Sequence, residues 1–340
     1  MAVIKDVAKR AGVSPSTVSK YLNKPAELTD EYKIKVEKAI KDLDYRPSSF
    51  ARSLRTQKTN IIALVVPDIV NPFYSEIYNA VRSAAYAKGY TTILYTTEEN
   101  LEILELVLTQ FSKISADGLI LCFLDEDEII QRFKEVQNII PITLMSWDIN
   151  NTDFSSVIIN LFDSFYHSAK YLLSLGHKKI AYIGGPTVSR ISKEKLAGFK
   201  KAMLEENINI SEDYIFEGKY LFQTGYQAAM KFMQLNECPT AIVCGNDVLA
   251  IGCIKYLQYN KFAIPDTVAV IGFDGINLSY IYDPSISTIV IPIEDIGREA
   301  VEMLINKIER PGSKNRQAIY DTNLVIRKST KKDAPIVLEI

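Results

Sequence analysis

Seven short apolar runs, separated by helical stretches, constrain the fold of this chain more than any other feature. Continuous apolar runs that alternate with helices are typical of parallel strands covered on both faces. The run IIALVVPD and the later run IAYIGGP, each followed by a helical stretch, indicate two similar α/β lobes. Ligands of open parallel sheets bind beyond the carboxyl ends of the strands, so we expect a cleft between the lobes. The runs lie at residues 61–66, 91–95, 118–122, 142–147, 180–185, 241–246 and 268–273.

The first 23 residues predict two helices that cross at a tight turn. An apolar-faced helix with Val7 and Ala8 runs into Gly12, which can take the left-handed turn conformation. Ser14 is placed to cap a second helix, and Pro15 suits the first turn of that helix. Short polar side chains and one lysine follow, a composition suited to the major groove of DNA. From spacing alone, an ordinary helical hairpin is the alternative.

A third amphipathic helix, with Thr29 as its expected cap, would close a small three-helix core. Pro47 ends that helix, and the polar, basic residues that follow indicate a linker. A short helix that begins near Ser48 would need a partner to form, because so short a helix is marginal alone.

Charge is divided unequally along the chain. Residues 1–60 contain 13 Lys and Arg against 7 Asp and Glu, a net charge of +6, whereas the whole chain carries −2. A basic head on an acidic body is typical of a nucleic-acid-binding arm attached to a domain that does not bind nucleic acid. A chance cluster of solvated lysines is the alternative.

Composition and missing motifs exclude several classes of protein. No apolar run reaches the roughly 18 residues of a membrane span and no signal peptide precedes the first helix, so we expect a cytoplasmic protein that does not contact membranes. No G-x-S-x-G, P-loop or G-x-G-x-x-G motif is present, so we expect neither an enzyme nor a cofactor. A metal site or a disulfide framework is not expected, because the four cysteines form no CxxC pair and only two histidines could supply imidazole. These are Cys122, Cys238, Cys244, Cys253, His167 and His177.

Six motifs together resemble the lactose-repressor/galactose-repressor family of bacterial transcription regulators. In chain order they are IKDVAKRAGVSPSTVSKYLN, YRPSSFARSL, VPDIVNPFYSEI, LGHKKIAYIGGP, GNDVLAIG and VIGFD. The resemblance implies an all-α helix-turn-helix headpiece over residues 1–47, a hinge helix and linker over 48–60, and a two-lobed α/β core over 61–340. That core would be similar to periplasmic sugar-binding proteins, with doubly wound parallel sheets. The first lobe would hold about 61–160 and 291–323, and the second 161–290 and 324–340.

The resemblance also implies how such a chain works. A homodimer would bind a pseudopalindromic operator as a repressor, with the second helix in the major groove. The paired hinge helices would enter the minor groove, where Leu54 wedges a base step open. A small molecule, expected to be a sugar or a derivative, would bind in the cleft and change the order of the hinge helices.

Pro15, Ser16 and Lys20 match base-reading positions of the family. Arginine is commoner than lysine at position 20, and lysine lacks the bidentate fork for guanine, so the operator preference there is open. Any of these residues could instead be merely solvated. The full set of expected DNA-binding residues is Ser14, Pro15, Ser16, Thr17, Ser19, Lys20, Asn23, Tyr45, Arg52, Leu54 and Arg55.

The expected effector site combines carboxylate, amide and aromatic side chains from both lobes. Such groups suit a polyhydroxylated ligand, although Trp147 and Tyr220 could equally be core residues. Lys195 replaces a usual arginine and Ser146 a frequent aspartate, and both departures weaken the prediction of a common hexose. The matching residues are Asp68, Phe73, Ser146, Trp147, Asn160, Lys195, Tyr220, Asn246 and Asp274.

Two alternatives stay open at this stage. The core could respond to a phosphorylated carrier protein that docks on the first lobe, or the chain could be a solute-binding protein. The segment after Ile326 lacks apolar heptads, so we do not expect a tetramerising helix.

Overall fold

A computed structural model describes residues 2–45, 58–98, 100, 102–106, 116–122, 140–146 and 153–335. The chain divides into two compact units, Met1–Thr59 and Asn60–Ile340. Most of the predicted hinge helix falls on residues 46–57 and lies outside the described residues.

The described part of the first unit is a three-helix domain. It comprises α1 (Ile4–Ala11), α2 (Pro15–Asn23) and α3 (Asp30–Asp42), with a 3-10 turn at Pro25–Glu27. The helices enclose a core of Val7, Ala8, Val18, Val36 and Ala39.

The predicted turn chemistry of this unit is largely confirmed. Gly12 takes the left-handed conformation, with φ of 67°, and the Ser14 side chain accepts a hydrogen bond from the Thr17 backbone. Thr29 is the N-cap residue of α3, as predicted, but its side chain makes no capping hydrogen bond. Asp30 and Glu31 instead place negative charge in the first turn of α3, where the helix dipole favours it.

The second unit contains two six-stranded sheets. The first sheet has the order β11-β5-β4-β3-β1-β2, and each neighbouring pair is parallel. Its strands are β1 (Ile61–Val66), β2 (Thr91–Thr96), β3 (Gly118–Cys122), β4 (Ile142–Ser146), β5 (Ser155–Ile159) and β11 (Gln317–Tyr320).

The second sheet has the order β12-β10-β9-β8-β6-β7. All of its neighbouring pairs are parallel except β10 with β12, which is antiparallel. Its strands are β6 (Ile180–Gly184), β7 (Ile215–Glu217), β8 (Ala241–Cys244), β9 (Ala269–Asp274), β10 (Ser287–Val290) and β12 (Asn323–Val325).

Helices cover these sheets in packed pairs: α4 with α10, α5 with α6, and α7 with α8. Their bounds, with the short α9, are α4 (Pro72–Ala87), α5 (Leu161–Ser174), α6 (Arg190–Glu205), α7 (Phe222–Phe232), α8 (Asp247–Tyr259), α9 (Asn277–Ile281) and α10 (Ile293–Glu309). A second 3-10 turn lies at Glu212–Tyr214.

The chain passes between the sheets three times: at Asn160, at residues 291–292 and at residues 321–322. One cluster of buried apolar residues extends from Leu64 in the first sheet through Phe165 to Ile271 in the second. The two lobes therefore share core packing as well as three connections.

The two-lobed α/β class and all seven predicted strands are confirmed, with ends shifted by one or two residues. Five strands were missed: β5, β7, β10, β11 and β12. Each of them has only three to five residues, and β7, β11 and β12 lie at sheet edges with few fully buried side chains. Short edge strands carry little apolar signal because half-exposed positions accept polar residues.

None of the described helices is long and apolar enough to cross a membrane. Cys122, Cys238, Cys244 and Cys253 all carry free thiols.

Candidate functional site

The exposed face of α2 carries most of the predicted DNA-contacting side chains. Val18 has no exposed surface and fixes the opposite face of α2 in the three-helix core. Pro15, Ser16, Lys20 and Asn23 are exposed, so this face is open to a ligand.

The polar groups of α2 are held by short local hydrogen bonds. The Ser14 hydroxyl lies 2.6 Å from the Ser16 hydroxyl and 2.9 Å from that of Thr17. Asn23 Nδ2 donates to the Ser19 carbonyl oxygen at 2.7 Å. These contacts restrict the rotamers of side chains that a groove would otherwise have to order.

Two further features belong to this three-helix unit. Tyr45 packs partly buried against the three-helix core, and its backbone N–H donates to the Ile40 carbonyl at 3.0 Å. Glu27 lies between two cations, 3.4 Å from Lys20 Nζ and 3.2 Å from Lys24 Nζ.

Four predicted site residues cannot be placed. Arg52, Leu54 and Arg55 of the DNA-binding set and Trp147 of the effector set lie outside the described residues.

In the second lobe, the ammonium of Lys195 lies at the carboxyl ends of the strands, among three aromatic side chains. Lys195 projects from α6, is only 4 % exposed and donates to the Gly245 carbonyl at 2.8 Å. Its Nζ lies 4.4 Å from the ring centre of Phe273, 4.9 Å from that of Tyr220 and 5.5 Å from that of Phe165. Ring faces attract cations, which stabilises the charge despite its burial.

Asp274 ends β9 in a strained backbone conformation, with φ of 109°. The neighbouring Asp247 explains how this turn is held. Asp247 Oδ2 accepts hydrogen bonds from the backbone N–H groups of Gly275 and Ile276, each at 2.9 Å, and Oδ1 accepts one from the Thr288 hydroxyl at 2.6 Å. A buried carboxylate at the start of α8 thus fixes the loop that carries Asp274.

The buried carboxyl groups of this site have perturbed acidity. Burial raises the pKa of Asp274 well above its usual range, and the positive charge of Lys195 partly offsets that rise. Burial also raises the pKa of Asp247 to about 7, against the opposing effect of its hydrogen bonds. Perturbed carboxyl groups of this kind cluster at functional sites.

A loop of the first lobe reaches Asp274. The Asp68 carboxylate accepts hydrogen bonds from the backbone of Val70 at 2.7 Å and Asn71 at 2.8 Å. Asn71 caps α4 through the Phe73 backbone, and its side-chain amide also lowers the pKa of the Asp274 carboxyl. The structure therefore brings Asp68, through Asn71, to the same place as Asp274.

The remaining predicted effector residues lie on element ends. Phe73 is 2 % exposed and packs in the core rather than on an open surface. Asn160 and Asn246 cap α5 and α8 through the backbone N–H groups of Asp163 and Leu249. Ser146 ends β4 and is partly exposed, as is Tyr220, whose hydroxyl lies 3.1 Å from that of Ser192.

A second contact joins the lobes directly. Glu76 Oε1 in α4 accepts hydrogen bonds from the backbone N–H of Asn277 at 2.9 Å and from its Nδ2 at 3.1 Å. An open cavity of about 390 Å³ adjoins it, lined in part by Gly275, Ile291 and Pro292.

Comparison with known proteins identifies the two units. Residues 3–48 match the model for bacterial regulatory proteins of the lacI family, and residues 169–330 match that for a periplasmic binding protein-like domain. The chain is 35 % identical over 335 residues to the HTH-type transcriptional repressor PurR of Mannheimia succiniciproducens, which covers 98 % of this chain and 100 % of the relative. The chain belongs to the lacI family. The repressor PurR of Vibrio parahaemolyticus is also 35 % identical, over 98 % of this chain and 99 % of its own length.

Solved structures of lacI-family proteins have the same fold. The lac repressor dimer bound to operator and the anti-inducer ONPF has a TM-score of 0.87 at 24 % identity, over 97 % of this chain and 99 % of that one. A LacI regulator of Bacillus cereus subsp. cytotoxis has a TM-score of 0.73 at 30 % identity, over 79 % of this chain and 97 % of that one.

This lacI-family chain is therefore a DNA-binding transcriptional repressor and not an enzyme, as the sequence predicted. Sequence reasoning missed the roles of Asn71, Glu76 and Asp247. Asn71 and Asp247 stand beside helix starts, where an ordinary capping or first-turn residue gives the same signal. The partner of Glu76 is 201 residues away along the chain.

Proposed function

We propose that this repressor binds a pseudopalindromic operator as a homodimer, with α2 in the major groove. Pro15, Ser16 and Lys20 would contact bases, because they match the base-reading positions of the family, and Thr17, Ser19 and Asn23 would contact phosphates. The basic charge of residues 1–60 supports this placement.

The dimer is proposed because the lac repressor, whose fold the chain shares, was solved as a dimer on its operator. Sedimentation equilibrium of the full chain tests this assembly, and a monomer at micromolar concentration would contradict it.

Leu54 is proposed to wedge a central base step of the operator. We expect Leu54→Ala to weaken operator binding roughly 30-fold or more, since unstacking is repaid only by contacts that bent DNA allows, a matter of a few kcal/mol. Effector binding should be unchanged. Fluorescence anisotropy with operator duplex measures the first quantity, and unchanged operator affinity would refute the wedge.

The core is proposed to bind a polyhydroxylated effector between the lobes. The observation that carries this is the buried Asp274 carboxyl beside Lys195, at the point where the loop of Asp68 and Asn71 reaches the second lobe. Carboxyl and amide groups can accept paired hydrogen bonds from hydroxyls, and Tyr220 offers a ring face.

The effector is sought by thermal shift of the full chain against sugars, sugar phosphates and nucleobases, followed by calorimetry. We expect a hydroxylated ligand to raise the melting temperature of the wild type and of the exposed control Asp213→Asn, but not of Asp274→Ala. A ligand that binds Asp274→Ala equally well would contradict the site. Binding confined to nucleobases would contradict the ligand class while leaving the site intact.

Operator binding would be regulated by a change in the relative arrangement of the two lobes. A ligand that differs in affinity between two lobe arrangements by about 1–3 kcal/mol changes operator occupancy usefully. Operator titration with and without the identified ligand tests this coupling, and an operator affinity that is the same in both titrations would contradict it.

A further inference from the structure

Glu27 is an acidic side chain placed among the cations of the proposed DNA-reading helix. Pro25 starts the 3-10 turn that follows α2, and the Glu27 backbone N–H donates to the Lys24 carbonyl at 3.0 Å. In this turn the Glu27 carboxylate contacts Lys20 and Lys24 together.

The contacts are made on an open surface. The side chains of Lys20, Lys24 and Glu27 are 56 %, 69 % and 47 % exposed. Pairs of this kind contribute only about 0–1 kcal/mol to stability, so folding does not explain the arrangement. The hydrogen bonds and charges of the two lysines lower the pKa of Glu27, with Lys24 first, so the carboxylate is ionised at neutral pH.

A carboxylate beside a DNA-binding cation competes with phosphate. On DNA without operator bases, the Lys20 ammonium has only phosphates to gain and can stay with Glu27. On the operator, the acceptors of a base edge can displace the carboxylate. The ion pair therefore lowers the affinity for non-specific DNA more than the affinity for the operator. This difference increases the discrimination between the two.

We infer that Glu27 is a specificity-determining residue that withholds Lys20 and Lys24 from the DNA backbone unless operator bases are present. The inference rests on the proposed placement of α2 in the major groove.

The test compares Glu27→Gln with wild type on two duplexes, using the full chain. One duplex is selected by the wild type from a randomised pool, and the other has a scrambled sequence. Each released counterion contributes about 0.9 to the slope of log affinity against log salt. On scrambled DNA we expect the slope to steepen by about 0.9 for each lysine released, and affinity at about 50 mM salt to rise roughly three- to tenfold. On the operator the slope should not change.

Glu37→Gln is the matched control. It makes the same charge change on α3, where Glu37 pairs with Lys41 at 3.2 Å. We expect that control to leave both slopes unchanged. Equal steepening in Glu27→Gln and Glu37→Gln, or no steepening on scrambled DNA, would overturn the inference, and melting by circular dichroism verifies that both variants are folded.

Lys20→Ala separates this inference from the proposed base contact. If Lys20→Ala binds operator and scrambled DNA in the wild-type ratio, the base contact is wrong, and the slope of Glu27→Gln on scrambled DNA still decides the role of Glu27. In the double variant Lys20→Ala/Glu27→Gln, the steepening should be smaller by about 0.9, because Lys20 is one of the released cations.

Discussion

Asp247 makes stability depend on pH more than any exposed carboxylate should. Its folded pKa is about 7 and its ordinary value is 3.8, because burial penalises the charge. Between about pH 4 and 7 the folded chain therefore binds more protons at this residue than the unfolded chain does. The contribution of Asp247 to the free energy of unfolding is fully present below about pH 4 and is lost as pH rises to about 7.

We expect Asp247→Asn to remove this dependence. Asparagine keeps an oxygen acceptor for the Gly275 and Ile276 N–H groups and does not titrate. From pH 4.5 to 7.5, the wild type should lose roughly 2–4 kcal/mol more of its free energy of unfolding than the variant does. Urea unfolding at both pH values measures this, with the exposed Asp213→Asn as control. Parallel pH profiles of wild type and Asp247→Asn would contradict the assignment.

At the level of single residues, sequence motifs located Lys195 and Asp274 but not their environment. Both follow from the resemblance, whereas the three aromatic side chains around Lys195, Phe165, Tyr220 and Phe273, come from different parts of the chain. These residues have no fixed spacing in the sequence, so no local window could predict that they lie together.

Helix α6 approaches α5 closely because Gly198 has no side chain. A Cβ at Gly198 would lie 2.1 Å from the backbone oxygen of Phe162, which a small shift cannot relieve. Gly225 and Gly252 allow the same kind of approach between α7 and α8, because a Cβ at either position would lie 2.0 or 2.1 Å from a backbone oxygen of the other helix. Helix pairs on the second sheet therefore depend on glycine at their crossing points.

We expect Gly198→Ala to lower the free energy of unfolding by roughly 2–3 kcal/mol, because the overpacked α5–α6 contact must open. Helix propensity alone predicts the opposite, a gain of about 1 kcal/mol. The exposed neighbour Ala197→Gly is the control and should cost about 0.5–1 kcal/mol. Urea denaturation distinguishes the two, and a Gly198→Ala chain more stable than wild type would disprove the close packing.

At the level of elements, the long apolar strands and the headpiece helices follow from local pattern. Strand β1 and helix α2 have complete signals, a buried apolar run and a capped amphipathic turn. Strands β7 and β12 have three residues each, too few for periodicity to distinguish them from loop.

The two lobes are joined by the contact between Glu76 and Asn277 in addition to their three connections. Its two hydrogen bonds end on a single half-buried carboxylate, and they link α4 of the first lobe to the start of α9 in the second. Burial raises the pKa of Glu76 and the Asn277 contacts oppose that rise. This arrangement of the lobes is therefore stabilised by a polar tie at the edge of the cleft.

We expect Glu76→Ala to weaken the binding of a cleft ligand that requires this lobe arrangement by roughly five- to 150-fold, since it removes two hydrogen bonds that contribute about 0.5–1.5 kcal/mol each. Glu76→Gln keeps the accepting oxygen and should bind within about twofold of wild type. Calorimetry with the identified effector gives the affinities, and small-angle scattering reports the separation of the lobes. Equal affinities for the alanine and glutamine variants would show that the tie does not hold the lobes.

The sequence by itself determined the lacI-family headpiece and the two-lobed α/β class, and it singled out Lys20, Lys195 and Asp274 as candidate site residues. These depend on local signals, namely caps, apolar periodicity and short motifs, which neighbouring residues carry together. Only the tertiary structure decided that Asp247 holds the strained turn at Asp274, that Glu76 ties the lobes and that Glu27 contacts Lys20. Each of these is a polar contact whose strength depends on burial and distance, and folding sets both by bringing together residues that no sequence pattern links.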